Sequence, residues 1–462
     1  MAKAREMDMT EGPLIKQLFS FAVPLILTGA IQLLFNIADQ VTVGKFASDQ
    51  SLAAVGSTSA LTNLLVNLFI GISSGVGAVA ARNFGAKNER FVSNLVHTAV
   101  LISLVFGVAL ALVGWFFSKP MLRLMDSPED TLEKASLYMR IYFLGMPALM
   151  LYNFGAAILR AVGDSKRPLY FITLSGAVNV CLNLILVIAF GMDVAGVAIA
   201  TVTSQIISAV LVAVTLMRST GCYRLELRRL RIHKKELADS LKLGVPAGIQ
   251  TCLFSVANVL IQSSVNYLGS LAMAGNAAAT SIELFVYVVN NSFHHTSLNF
   301  TSQNYGAGKL KRIKQVLASC LVIESVLSFV LGLTTYLLGE PLLSLFTKTG
   351  DPIPFGMVRI TVFGFSYWLC GVQDVITGFL RGINRSVVPM INSVVFVCVL
   401  RIFWVKLVFD PVKDVLDKPD ALFVLYISYA VSWILVSASD LVYYALFVRK
   451  KLPAEIENNA AG

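Results

Sequence analysis

The chain has 462 residues, of which 56% are hydrophobic and 14% charged. So apolar a composition excludes an ordinary water-soluble domain and puts the chain in a bilayer. The net charge of +10 would suit nucleic acid in a soluble protein, but here the placement of the bases accounts for it in another way.

A segment that crosses the hydrocarbon needs about 20 mostly apolar residues, because every backbone N–H and C=O must be bonded within it. Twelve such runs are expected. They begin near residues 16, 52, 93, 136, 169 and 194, then near 240, 271, 315, 356, 386 and 421. Met1–Lys16 carries acids and leads straight into the first span, so no cleavable signal peptide is expected. Alternate loops hold 26 of the 37 lysines and arginines, including Arg82, Lys87, Arg160 and Lys166, the stretch from Arg218 to Lys242, and Lys309 to Lys314. The positive-inside rule assigns that set, and both termini, to the cytoplasm. The expected divisions are a cytoplasmic N-terminus 1–15, an N-lobe 16–217, a basic linker 218–239, a C-lobe 240–448 and a cytoplasmic tail 449–462. The linker reads equally as an interfacial helix on an anionic leaflet and as a solvated tether.

The two halves repeat each other. Asn83-Phe84-Gly85-Ala86 and Leu159-Arg160 recur 221 residues later as Asn304-Tyr305-Gly306-Ala307 and Leu380-Arg381, and Pro168 recurs as Pro389. Six spans per copy start both copies on the same side, which predicts two bundles related by a pseudo-two-fold along the membrane normal. That is a transporter architecture suited to alternating access. The fold class expected is thus all-α and polytopic, with twelve transmembrane helices in two six-helix bundles.

Polar groups inside the spans are costly and therefore informative. In the first span Gln32, Asn36 and Asp39 share one helix face. Asn179 and Asn183 form a second stripe in the fifth span, and Thr201 stands in the sixth. A carboxylate ringed by amide and hydroxyl oxygens suits a proton or a weakly held Na⁺, while interhelical hydrogen bonding alone is the alternative. In the second half the acids are Glu283, Glu324, Asp374 and Asp440. Asp374 falls opposite Asn153 under the 221 offset and Asp39 opposite Ile261 or Gln262, so the copies differ in their ionisable groups. Glu283 and Asp374 are candidates for a cationic substrate or a second proton, and Glu324 and Asp440 are expected to pair or snorkel, Asp440 with a Lys or Arg. His294 and His295 point to different helix faces and read as ordinary polar positions. Arg401 and Lys406 suit either an outer-interface anchor or a pair with an acid. The six cysteines form no CxxC pair and read as packing residues. No P-loop, G-x-S-x-G elbow or H-E-x-x-H motif is present, so no enzyme and no ATP hydrolysis are expected.

Asn36-Ile-Ala-Asp39 with Val43-Gly44, Asn83-Phe-Gly-Ala, Leu159-Arg160, Gly163-Asp-Ser, Val194-Ala-Gly-Val-Ala-Ile-Ala-Thr201 and Gln303-Asn304-Tyr-Gly-Ala-Gly308 occur in an order that resembles the multidrug and toxic compound extrusion (MATE) family over about Leu18 to Leu446. The resemblance implies a secondary antiporter that expels amphipathic organic cations against inward H⁺ or Na⁺. It carries a coupling role onto Asp39, Asn179, Asn183 and Thr201, and a helix bend onto Pro24. The substrate cavity expected includes Gln32, Asn36, Asn153, Gln262, Glu283 and Asp374. Better-known members have an acid where this chain has Asn183, which favours H⁺ over a Na⁺ at Asp39. No cofactor besides the coupling ion, no nucleic acid, contact with membrane lipids, a monomer and a bacterial inner membrane are expected. A flippase of lipid-linked saccharide from the same superfamily is the alternative, although its cavity would be basic while most bases here lie at helix ends.

Overall fold

A computed structural model describes residues 6–46, 49–124, 129–346 and 350–455. Lys3, Arg5 and the tail beyond Glu455 lie outside the described residues. Those described are helical and include no β-strand. In chain order the first half holds α1 (Leu14–Phe46), α2 (Asp49–Gly85), α3 (Glu89–Leu124), α4 (Glu129–Leu144), α5 (Met146–Ala161), α6 (Lys166–Asn183) and α7 (Asp193–Arg218). The second half holds α8 (Lys234–Tyr267), α9 (Ser270–Gly306), α10 (Leu310–Leu337), the short α11 (Gly339–Ser344), α12 (Ile353–Gly382), α13 (Val387–Ser393), α14 (Leu400–Trp404) and α15 (Lys418–Tyr443).

Eleven helical stretches are long and apolar enough to span a bilayer, and α4 with α5 makes a twelfth that bends by 46°. The bend falls where the sequence demands one. Pro147 has no N–H to give the preceding turn, and Gly145 has no room for a Cβ, which would lie 2.3 Å from Gln205 Oε1. Most helices begin a few residues before the apolar runs do. Polar first turns, such as that from Glu89 and that from Lys234 to Glu236, are helical although they lie outside the apolar stretch.

The duplication is visible in backbone detail. After Asn83 the chain reverses through Lys87 (φ 55), and after Asn304 through Gly308 (φ 73); in both, the asparagine Nδ2 donates to the carbonyl four residues back. Likewise Gly163 (φ 90) and Asn384 (φ 69) are the left-handed residues that end α5 and α12, a conformation open chiefly to Gly and Asn. A wide π-turn at Leu184–Ala189 following α6 has its counterpart at Val405–Phe409, again 221 residues on.

The chain divides into two compact units, one made of residues up to Met9 with Val23–Gly248, the other of Thr10–Ala22 with Ile249–Gly462. In the first unit, Gly244 and Gly248 at the start of α8 meet Ile72 and Leu68 of α2 with no space for side chains, and Gly71 and Gly75 return the contact. Close approach through small residues is how helices associate where lipid is as apolar as their own surfaces. In the second unit, Phe21 packs edge-on against Phe300 at 5.7 Å. The unit boundary in α1 falls between Ala22 and Val23, one residue ahead of Pro24, and the boundary in α8 two residues after Pro246, the equivalent proline.

The linker is neither a helix on the leaflet nor a free tether. It is extended around one short turn, Leu227–Arg229, and is bonded to α3: Glu226 N–H donates to His97 Nε2 at 3.1 Å, His233 N–H to Thr98 Oγ1 at 3.1 Å, and Asn94 Nδ2 to Glu236 Oε1 at 3.0 Å. Arg82 and Asp239 pair at 3.1 Å.

Within the first unit, α5 packs against α2, α3 and α7, and α6 against α7. Within the second, α12 is the central helix, packed on α9, α10 and α15. Its core is aromatic, with Phe363 in contact with Tyr367, Tyr426, Tyr429 and Trp433.

Candidate functional site

In the first unit, α1 and α6 come together at Gly176, where a Cβ would lie inside the Phe35 ring, 1.8 Å from its nearest carbon. One turn beyond that contact on each helix stand Asp39 and Asn179. Asn183 Nδ2 donates to Asp39 Oδ1 at 2.5 Å. The Asn179 amide, oriented as its neighbours require, donates to the same oxygen at 2.7 Å and accepts from the Thr201 backbone N–H at 3.3 Å. The Thr201 hydroxyl donates to the Val197 carbonyl on its own helix. The structure thus brings together the four residues Asp39, Asn179, Asn183 and Thr201, from α1, α6 and α7.

Two amides on one carboxylate oxygen are a strongly polar cluster for a spanning segment. Asn183 Oδ1 is buried next to it with no hydrogen-bond partner. A buried acceptor beside a carboxylate accommodates a proton donor or a cation, since either would satisfy both at once. Tyr138, which sequence reasoning passed over, lies within electrostatic range of Asp39 and stacks on Tyr142 at 5.9 Å. Its only sequence signal was an aromatic spacing of four in α4.

The other expected cavity residues are distributed. Gln32 and Asn36 are exposed on α1. Asn153 is half-buried on α5, with its Nδ2 bonded to the Leu149 carbonyl at 2.9 Å. Pro24 interrupts the hydrogen-bond ladder inside α1, where Thr28 Oγ1 donates to the Pro24 carbonyl.

In the second unit Glu283, a candidate for a cationic substrate or a second proton, is paired with a base. Arg359, overlooked in the sequence, donates to both its oxygens, from Nε at 2.8 Å and Nη2 at 2.6 Å. Arg359 Nη1 also donates to Asn276 Oδ1 at 2.7 Å, and the guanidinium lies over the Phe363 ring at 4.5 Å. A buried charge requires such a partner; Arg359 opens no recognisable motif, because its partner lies 76 residues away. Asp374 is half-buried, and its backbone carbonyl accepts from His294. His294 is more than an ordinary polar position, since Nε2 also faces Arg381 Nη1 at 3.2 Å. Asp440 pairs with an amide rather than a base, accepting from Asn392 Nδ2 at 2.5 Å. Glu324 is buried with Oε1 bonded to Ser328 at 2.6 Å, and a Gly371 Cβ would collide with it. Lys406 pairs with Asp410, whereas Arg401 is buried with no acid in contact among the described residues.

The family model MatE matches residues 24–185 and again 246–405, the two repeats found above. The chain belongs to the MatE family. Among its relatives is a Bacillus subtilis (strain 168) protein named "Probable multidrug resistance protein YoeA", 30% identical over 84% of this chain and 88% of its own length. A protein of Shewanella oneidensis named "FAD transporter" is 25% identical over 86% of this chain and 88% of its own. The fold is similar to that of a solved structure named an outward-facing conformation of a multidrug resistance MATE family transporter of the MOP superfamily, with a TM-score of 0.88 at 20% identity over 99% of this chain and 100% of that one. This MatE chain is therefore a multi-pass membrane transporter of small molecules rather than an enzyme, and its kinship is with multidrug efflux.

Proposed function

We propose that this chain is a secondary antiporter that exports amphipathic drugs in exchange for inward H⁺, with Asp39 as the coupling group. The observation that carries the reading is the Asp39 cluster: one carboxylate held by two amides, in a spanning helix, beside the unbonded Asn183 Oδ1. Ionised, Asp39 attracts a cationic group on the cargo. Protonated, it loses that attraction and becomes a hydrogen-bond donor, for which Asn183 Oδ1 is an acceptor within the cluster. Cargo and proton then compete for one group, which is the requirement for exchange.

A proton suits the cluster better than Na⁺ on charge grounds, since Asp39 is its single carboxylate and Asn183 stands where related transporters have a second acid. α1 is the element proposed to change shape, around Pro24. The proposed setting is a bacterial inner membrane with both termini in the cytoplasm, and the working unit a monomer.

Fluorescent-drug efflux from proteoliposomes under separately imposed H⁺ and Na⁺ gradients tests the reading. Flux driven by the H⁺ gradient and lost in Asp39→Asn is expected. Flux indifferent to the H⁺ gradient would sink it.

A further inference from the structure

Arg401 is 3% exposed, and no acid touches it among the described residues. Its Nη2 donates to Ser432 Oγ at 3.0 Å and its Nη1 to Asn258 Oδ1 at 3.5 Å. Its guanidinium lies over the Tyr429 ring at 3.8 Å, and its Nε is buried without a partner. Cys370 is within electrostatic range of Arg401 and also of Glu324 and Asp374, but neither of those acids reaches the guanidinium. Arg359, by contrast, is neutralised by Glu283. Of the two arginines only Arg359 therefore has an acid in contact, and a buried guanidinium without one is costly in a spanning segment unless something answers it.

Both guanidiniums are connected to the same exposed stripe of α8. Arginine can only donate, so Arg401, together with the Tyr429 hydroxyl at 3.3 Å, occupies Asn258 Oδ1 and leaves Nδ2 as the donor of this exposed side chain. Arg359 occupies Asn276 Oδ1; Asn276 Nδ2 then donates to Gln262 Oε1 at 2.9 Å, and Gln262 Nε2 to Asn266 Oδ1 at 2.8 Å. That relay ends on Asn266 Nδ2. Asn258, Gln262 and Asn266 are all exposed and spaced by four residues, so they line about 12 Å of one helix face at about 1.5 Å per residue. With Oδ1 engaged on both Asn258 and Asn266, the Nδ2 groups of these two exposed side chains are the donors the stripe has left to offer.

We infer that the exposed amide stripe Asn258–Gln262–Asn266, backed by Arg401 and Arg359, binds the carboxylate or phosphate of an amphipathic anionic or zwitterionic cargo. An array of donors polarised by a buried positive charge favours an anion and offers nothing to a cation. The inference rests on the transport reading for its use in export, and it narrows the cargo beyond amphipathic cations.

The test compares rhodamine B, which carries a free carboxylate, with rhodamine B ethyl ester, which lacks that charge. Binding of each dye to the full chain in phosphatidylcholine liposomes without any gradient is read by fluorescence, with protein-free liposomes subtracted. The preference for the free acid over the ester is expected to fall about tenfold in Arg401→Gln and in Asn258→Leu, the loss of a charge-assisted hydrogen bond, and to survive in Arg401→Lys. Because Asn258 is exposed, its variant reads the site even if Arg401→Gln does not fold. A ratio unchanged in Asn258→Leu, or a wild-type preference for the ester, would overturn the inference. Phosphatidylglycerol that displaces the dye would mark a lipid headgroup as the source of the same anion, and a lack of displacement would mark a soluble one. Selective binding without proton-driven accumulation of either dye would defeat the antiport reading and leave the anion site standing.

Discussion

Arg359 grips both carboxylate oxygens of Glu283, at 2.8 and 2.6 Å, and side-chain exposures of 8% and 12% leave neither partner in contact with much solvent. Removing one member would strand the other, at a cost of about 3–5 kcal/mol for a buried pair. Glu283→Gln and Arg359→Gln are each expected to lower the thermal unfolding midpoint of the detergent-purified protein markedly. The double change Glu283→Leu with Arg359→Met is expected to recover part of that loss. Single variants as stable as the parent would show that the pair is not structural.

Asp39→Asn keeps the size and hydrogen-bonding reach of the side chain and removes its charge. Proton-driven drug flux is expected to fall at least about tenfold, with the unfolding midpoint held or raised, because a buried ionisable group has been replaced by a neutral one. Asn183→Asp tests the ion. A second carboxylate beside Asp39 is expected to introduce Na⁺-driven flux and Na⁺-dependent stabilisation, measurable by melting in NaCl against choline chloride.

The glycine contact between α2 and the start of α8 has no slack. A Cβ on Gly71 would lie 2.3 Å from Gly248 Cα, and one on Gly75 would lie 2.4 Å from Gly244 N. Gly75→Val is expected to cost about 1–3 kcal/mol through overpacking, visible as a lower midpoint and lower yield. Gly191→Ala meets nothing within 4 Å but carries φ 62, so a smaller loss from backbone strain alone is expected there.

Asp410, just past the spanning segment, accepts from Lys413 at 3.0 Å and Lys406 at 3.1 Å. Those hydrogen bonds, that from Lys413 foremost, hold its carboxyl below the usual range. A carboxylate whose folded pKa is depressed stabilises above its unfolded pKa and loses that contribution as the pH falls through the folded one. Asp410→Asn is therefore expected to cost a little stability at neutral pH and nothing once the carboxyl of the parent is protonated. Melting curves recorded from neutral to acid pH, with the two proteins converging at the acid end, check the sign.

Much of the fold was legible because it depends on local composition. Length and hydropathy alone dictate a span, and the 221-residue repeat fixed where the helix-ending turns recur, down to the paired left-handed residues at 87 and 308 and at 163 and 384. The Asp39 cluster was legible too, since polar residues at helical spacing in an apolar run have few reasons to be there. Arg359 was not, because its meaning depends on Glu283, and neither carries a local pattern. For the same reason Asp440 was assigned a base and found an amide in Asn392.

What the sequence by itself determined is the class of molecule: a duplicated, twelve-span membrane transporter with one acid in its first helix. Only the tertiary structure decided which polar groups satisfy one another. Burial in a low-dielectric interior forces each charge to seek a partner that can be far off in the chain, so Glu283 is neutralised by Arg359, while Arg401 finds a hydroxyl, an amide and an aromatic ring and, among the described residues, no acid in contact. The direction of each amide on α8 follows from that pairing, and no spacing in the sequence encodes it.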